Sequence, residues 1–158
     1  MTSVWKEIKL IEYKSCNECI QDLKKNNYKI SLWIEDIIKI NNLNFKNYSF
    51  PINLVRKSVK ELGFNGPTEI QEIYKEIKKS GFELVPPEIA ILCRKYYNEQ
   101  PTGEWLRFAT PLNSMEDSDG VPHLPKLGKA LGLYFIETYW AYPKAIFHPH
   151  NEFVMISK

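Results

Sequence analysis

Up to about residue 100 the apolar residues recur mostly at the three-to-four-residue spacing of amphipathic helices, and after Pro101-Thr102-Gly103 they alternate every second residue, as strands do. This change of period confines the chain to an α+β layout, predicted as N-terminal helices packed on a small C-terminal antiparallel sheet made mainly by residues 104–157. The 158 residues suit one domain with a proper core. Residues 1–158 are therefore read as a single α+β domain, with room for a helical sub-part over 1–45 beside a main part over 49–158. The hinge between them is the stretch 41–48, where four of eight residues are Asn.

Four helices carry start signals. Ser15 followed by Glu18 reads as a capping box for a helix whose apolar stripe is Cys16, Cys19, Ile20 and Leu23. Ser31 is the next N-cap, before an arc of Trp33, Ile34, Ile37, Ile38 and Ile40. Thr68 with Gln71 reads as another capping box, with Ile70, Ile73, Tyr74 and Ile77 inward. Pro86-Pro87-Glu88 suits a first helical turn, with Ile89, Leu92, Cys93 and Tyr96 on the buried side. A fifth helix is expected to start at Ser49 and Pro51, on the spacing of Ile52, Val55, Val59 and Leu62, with Gly63 placed to stop it. Residues 6–13 give a weak strand lead-in. Pro122 and Pro125 predict an edge strand or irregular segment over 121–127, and Gly128 to Gly132 a turn or bulge. Leu133 to Tyr142 reads as the central strand and Phe153 to Ile156 as a short last one. Ile70, Ile73, Ile77, Leu92, Phe108 and Phe135 are expected to share one core.

Charge excludes some partners. The net charge is +2, and Lys and Arg interleave with Asp and Glu rather than gathering in a basic tract, so nucleic acid is an unlikely partner and no membrane partner is expected. The N-terminal Met-Thr-Ser-Val-Trp-Lys-Glu lacks a secretory signal, and three cysteines fit a reducing compartment, so a cytoplasmic location is predicted. An aromatic content of 13% is high enough to place large rings at or near the surface.

Glu61-Leu62-Gly63-Phe64, Pro86-Pro87-Glu88, Arg94, Tyr97, Gln100-Pro101 and Gly103-Glu104-Trp105-Leu106 together resemble a family of small bacterial proteins with no settled activity. The resemblance spans about two thirds of the chain and implies a shared fold. It brings no catalytic residues with it.

The remaining constellations are weighed on their chemistry. Cys16-Asn17-Glu18-Cys19 opens a helix, where the dipole favours a thiolate, but both sulfurs fall on the apolar stripe and are read as core rather than redox-active. His148-Pro149-His150, with His123 as a third imidazole, makes an incomplete metal set, because Pro149 is expected to aim the rings apart. Asp117-Ser118-Asp119-Gly120 lacks the later ligands of a calcium loop and is read as a solvated turn. No metal and no cofactor are expected. The helix pair over 16–41 is joined by too long a link, and its second helix is too apolar, for DNA-reading helix-turn-helix use.

The candidate binding surface is the corner between the last helix and the first strand: Glu88, Arg94, Tyr97, Gln100, Glu104 and Arg107. Arg94 is expected to pair with Glu104 or Glu99, as a clamp before a ligand site. No nucleophile and base pair is recognisable, which leaves catalysis open and favours a non-enzymatic protein-binding or accessory module with another protein as partner. The competing expectation is a small hydrolase or nucleic-acid-processing enzyme using Glu88, Arg94 and Glu104. Oligomeric state is not legible.

Overall fold

The computed structural model describes residues 3–158. Strand β1 (Lys6–Ile8) leads into helix α1 (Cys16–Lys25), a two-residue strand β2 (Lys29–Ile30) and α2 (Leu32–Ile40). The strands β3 (Ile52–Ser58) and β4 (Thr68–Glu69) precede α3 (Ile70–Lys79), then β5 (Phe82–Glu83) and α4 (Pro87–Tyr96). The chain ends in β6 (Trp105–Phe108), β7 (His123–Ala130), β8 (Leu133–Trp140), β9 (Ile146–Phe147) and β10 (Glu152–Ser157). The fold class is α+β. The sheet, however, is neither small nor wholly antiparallel: its order is β1-β3-β10-β6-β7-β8-β2, with β5 also on β10 and a separate β4-β9 pair. β10 runs parallel to β6 and β2 parallel to β8, so the sheet is mixed.

Local chemistry explains where the helices begin. The Ser15 hydroxyl accepts from the Glu18 N–H at 3.1 Å, and the Ser31 hydroxyl accepts from the Trp33 N–H at 3.1 Å, each satisfying an orphan donor. The expected Thr68–Gln71 box does not form, because Thr68 is held in β4 opposite Phe147 and its hydroxyl donates to the Gly66 carbonyl. Helix α3 starts at Ile70 instead.

Four sequence expectations are corrected. The helix from Pro51 is strand β3, because Ile52 and Leu54 bury on one side while Val55 buries on the other. Both faces are covered, so the alternation is masked and a helical spacing arises by chance. Residues 121–127 are not an edge: β7 lies between β6 and β8 and passes straight through Gly128. Pro125 is tolerated because β6 pairs with β7 only from Lys126 to Gly128, leaving Pro125 one strand neighbour, β8. Gly128 is no turn; a Cβ there would come 2.2 Å from the Trp105 ring, so the glycine is the seat of that indole. The chain turns at Leu131-Gly132, both with positive φ. Conversely β8, read as central, has only the two residues of β2 on its far side, whereas the short last strand β10 lies in the interior.

The sheet divides the core. One face packs Leu54, Leu106, Leu127, Ile136 and Val154 under α1, α2 and α4. The other packs Val55, Leu124, Phe153 and Met155 under Ile70, Ile73 and Ile77 of α3. The single shared core is therefore two, since a strand sends successive side chains to opposite faces. Leu92 and Phe108 belong to the first, the three isoleucines to the second, and Phe135 is only half-buried. Ile73→Ala and Leu92→Ala are each expected to cost about 2–5 kcal/mol. Being separated by the sheet, their costs should add to within about 0.5 kcal/mol in the double variant, measured by denaturant unfolding.

Candidate functional site

The corner proposed from sequence assembles in part. Arg94, in the last turn of α4, is fully buried; Nη1 donates to Gln100 Oε1 at 2.8 Å and to the Gly128 and Phe135 carbonyls at 3.1 and 3.2 Å, and Nη2 donates to the Tyr97 carbonyl at 2.5 Å. Its Nε has no partner. Burial pushes the guanidinium down to about 10, which leaves it charged at neutral pH. Gln100 Nε2 donates to the Leu127 carbonyl at 2.9 Å and reaches Glu104, and the Tyr97 hydroxyl donates to Glu104 Oε1 at 2.6 Å. Arg94, Tyr97, Gln100 and Glu104 are thus one cluster, but Arg94 faces carbonyls where a carboxylate was expected.

The cation that pairs with Glu104 is Arg56, on β3. Its Nη2 lies 3.0 Å from Glu104 and 2.6 Å from Glu152, while Nη1 donates to the Tyr97 hydroxyl at 2.8 Å. Burial alone would lower the Arg56 guanidinium, and the Glu152 and Glu104 carboxylates more than reverse that.

Glu88 and Arg107 lie elsewhere. Glu88 opens α4, six residues or about 9 Å along the helix from Arg94. It is buried; its Oε1 accepts from the Tyr48 hydroxyl at 2.5 Å and meets Lys46 at 3.4 Å, and its Oε2 has no partner. Arg107 stands on the opposite face of the sheet, against Tyr139 and Phe147. Of the six candidates, Glu88, Arg94, Tyr97 and Gln100 are each no more than 4% exposed, so they meet other protein groups rather than solvent.

The remaining motifs also find their places. Cys16 and Cys19 are buried, and burial is the largest cause pushing both thiols up to about 12. The His148 and His150 rings stack at 6.0 Å instead of pointing apart. Among the described residues no three His, Cys, Asp or Glu side chains come close enough together to hold a metal ion. Ser118, Asp119 and Gly120 form the exposed turn expected, but Asp117 at its start is buried: Oδ2 lies 2.9 Å from His123 Nε2, and Oδ1 accepts from the N–H groups of Asp119 and Val121. The other ring nitrogen, His123 Nδ1, meets the Thr138 hydroxyl at 3.0 Å.

His123 anchors a feature that local spacing did not reveal. Trp33 from α2 and Trp140 from β8 both lie against its ring, at centroid distances of 5.4 and 5.3 Å and within 35° of parallel. Tyr142 stacks on Trp140 at 6.3 Å, giving a ladder of four rings. Trp33, Trp140 and Tyr142 are 45%, 51% and 48% exposed, so the ladder is an outward face on a buried, hydrogen-bonded base. Beside it Tyr139, Trp140, Tyr142, Ala145 and Ile146 border a groove of about 380 Å³. The high aromatic content was the one signal of such a face. Trp33 itself looked like core, because it falls on the apolar arc of α2.

No family model, curated protein or solved structure matches the chain, so these sites are read from their own chemistry.

Two outcomes are expected. A double-mutant cycle of Arg56→Ala with Glu104→Gln should give a coupling of about 0.5–3 kcal/mol, and the same cycle with Arg94→Ala a smaller one. Burial works to raise the Asp117 carboxyl, but hydrogen bonds from His123, Val121 and Asp119 outweigh it and hold the group below its ordinary range. A carboxyl depressed in the folded state contributes stability above the unfolded value, about 3.9, and loses it as pH falls through the folded one. Chemical denaturation between neutral pH and about pH 2 should therefore show an acid loss that Asp117→Asn reduces.

Proposed function

We propose that the protein is a non-enzymatic protein-binding or accessory module, and that its contact face is the ring ladder of Trp33, His123, Trp140 and Tyr142. The observation that carries this reading is the half exposure of three large rings around a buried imidazole fixed at both nitrogens. Tryptophan and tyrosine supply large contact area, and rings already held by stacking lose little freedom when a partner closes over them. Ile146, also exposed, widens the apolar area beyond Tyr142. A patch of this kind on a chain with mixed charge suits another protein better than a nucleic acid.

The enzymatic alternative would need Glu88, Arg94 and Glu104 to meet around a substrate. Arg94 spends its Nη donors on Gln100 and three carbonyls, and its unpartnered Nε is buried. Glu104 is engaged by Arg56, Tyr97 and Gln100, and Glu88 lies about two turns from Arg94 along α4, which speaks against a shared substrate site. No helix among the described residues is long and apolar enough to cross a membrane.

Affinity capture with cross-linking from the native host tests the proposal. Wild-type protein should retain a protein that Trp33→Ala and Trp140→Ala lose at least tenfold, while a variant of the outward-facing Lys79 keeps it. The two tryptophan variants should melt within a few degrees of wild type, since half-exposed rings carry little of the core. Retention of nucleic acid in place of protein, or a partner indifferent to both tryptophans, would overturn the reading.

A further inference from the structure

On the face of the sheet opposite α1, α2 and α4, the strands β6, β7 and β8 set their side chains in cross-strand rows. Trp105, Gly128 and Phe135 form one row, and Arg107, Lys126 and Glu137 form the next. The second row places two cations directly opposite one another, an arrangement that destabilises a sheet. Neither has a contact ion pair, although Glu137, across the row from Lys126, offsets part of the charge. Among the described residues no carboxylate lies within 4.0 Å of either cation, Glu137 included, and the Arg107 guanidinium makes no hydrogen bond, its Nε being buried without a partner.

Both cations rest on rings instead. Arg107 Cζ is 5.0 Å from the Tyr139 centroid and 5.5 Å from that of Phe147, and Lys126 Nζ is 4.9 Å from Trp105 and 5.4 Å from Tyr139. Such contacts orient a cation but leave its charge in place. Burial draws both groups below their ordinary values, and Arg107 adds to the fall of Lys126. Helix α3 covers the β3–β10 side of this face, while Trp105, Phe135, Glu137 and Tyr139 stay partly open.

We propose that this open face receives an acidic segment of a partner protein, with one carboxylate seated between Arg107 and Lys126 and an apolar neighbour on Trp105 and Phe135. The inference rests on the protein-binding reading above and names the chemistry of the partner. With Glu137 in the row, two cations stand against one carboxylate, and a single further carboxylate supplies the remaining counter-charge. A polyphosphate chain would bring further negative charge against Glu137, at the end of the same row.

The probe is a capped decapeptide alternating Glu and Leu, with a Gln/Leu peptide of equal length as the neutral control and a single-stranded oligonucleotide as the competing polyanion. Binding to the full chain is followed at low salt through the Arg107 Nε–H resonance. The Glu peptide should bind about tenfold or more tightly than the Gln peptide and move that resonance. Lys126→Gln should abolish the difference and leave the melting temperature level or higher, since it removes a repulsion from the free protein. Equal binding of the two peptides, or tighter binding of the oligonucleotide, overturns the proposal. So does a Lys126→Gln variant that melts lower and still prefers the Glu peptide, which would make the pair a structural cation–π contact. A cellular partner lost by Trp140→Ala but kept by Lys126→Gln sinks this inference and spares the ladder, whereas the absence of any protein partner sinks the reading beneath both.

Discussion

A buried guanidinium with no carboxylate to face ties the helical layer to the sheet. Arg94 closes the end of α4 through the Tyr97 carbonyl, holds the turn through Gln100, and reaches the facing carbonyls of Gly128 and Phe135 on adjacent strands. A charge taken out of water is tolerated only when its hydrogen bonds are satisfied, and here carbonyl dipoles provide most of that satisfaction. The arrangement fixes the position of α4 over β7 and β8 and, with it, the register of the turn that delivers Glu104 to Arg56. Arg56 in turn joins β3 to the neighbouring β10 through Glu152. Two cations of different character thus hold the two halves of the sheet to the same helix end.

Much of the helical layer was legible because its signals are local. Ser15, Ser31 and Pro87 mark real starts, and the stripes of α1 and α3 match the residues that are buried, whereas α4 is buried on all sides from Pro87 to Arg94 and its Tyr96 only partly. The sheet was less legible because strand order is a nonlocal property. Nothing in residues 152–157 announces that they lie between β3 and β6, and nothing in Ile52 to Ser58 distinguishes a strand covered on both faces from a short helix. Gly128 misled for a different reason. Its meaning depends on an indole from another strand, and local reading sees only a turn former.

The candidate corner was legible in its membership and wrong in its pairing. The spacing from Arg94 to Glu104 put four residues together, yet the counter-ion came from Arg56, 48 residues away in a segment taken for a helix. The ring ladder draws on α2, β7, β8 and the residue pair beyond it, so no single window of sequence contains it. Composition pointed to exposed aromatics without saying which. Likewise Arg107 was marked as part of the corner, and only the alternation of β6 sends it to the opposite face, beside Lys126.

Strand β10 has a further meaning for how the sheet is closed. It follows every other described strand in chain order and, among the described residues, is the only link between the β1–β3 pair and the β6–β7–β8–β2 group. Without Glu152–Ser157 the sheet order falls into two parts, each with an open edge, at β3 and at β6. Unpaired edges are templates for pairing with other chains. Pairing of β10 with both β3 and β6 thus removes two such templates at once, and a chain in which this strand is displaced exposes both.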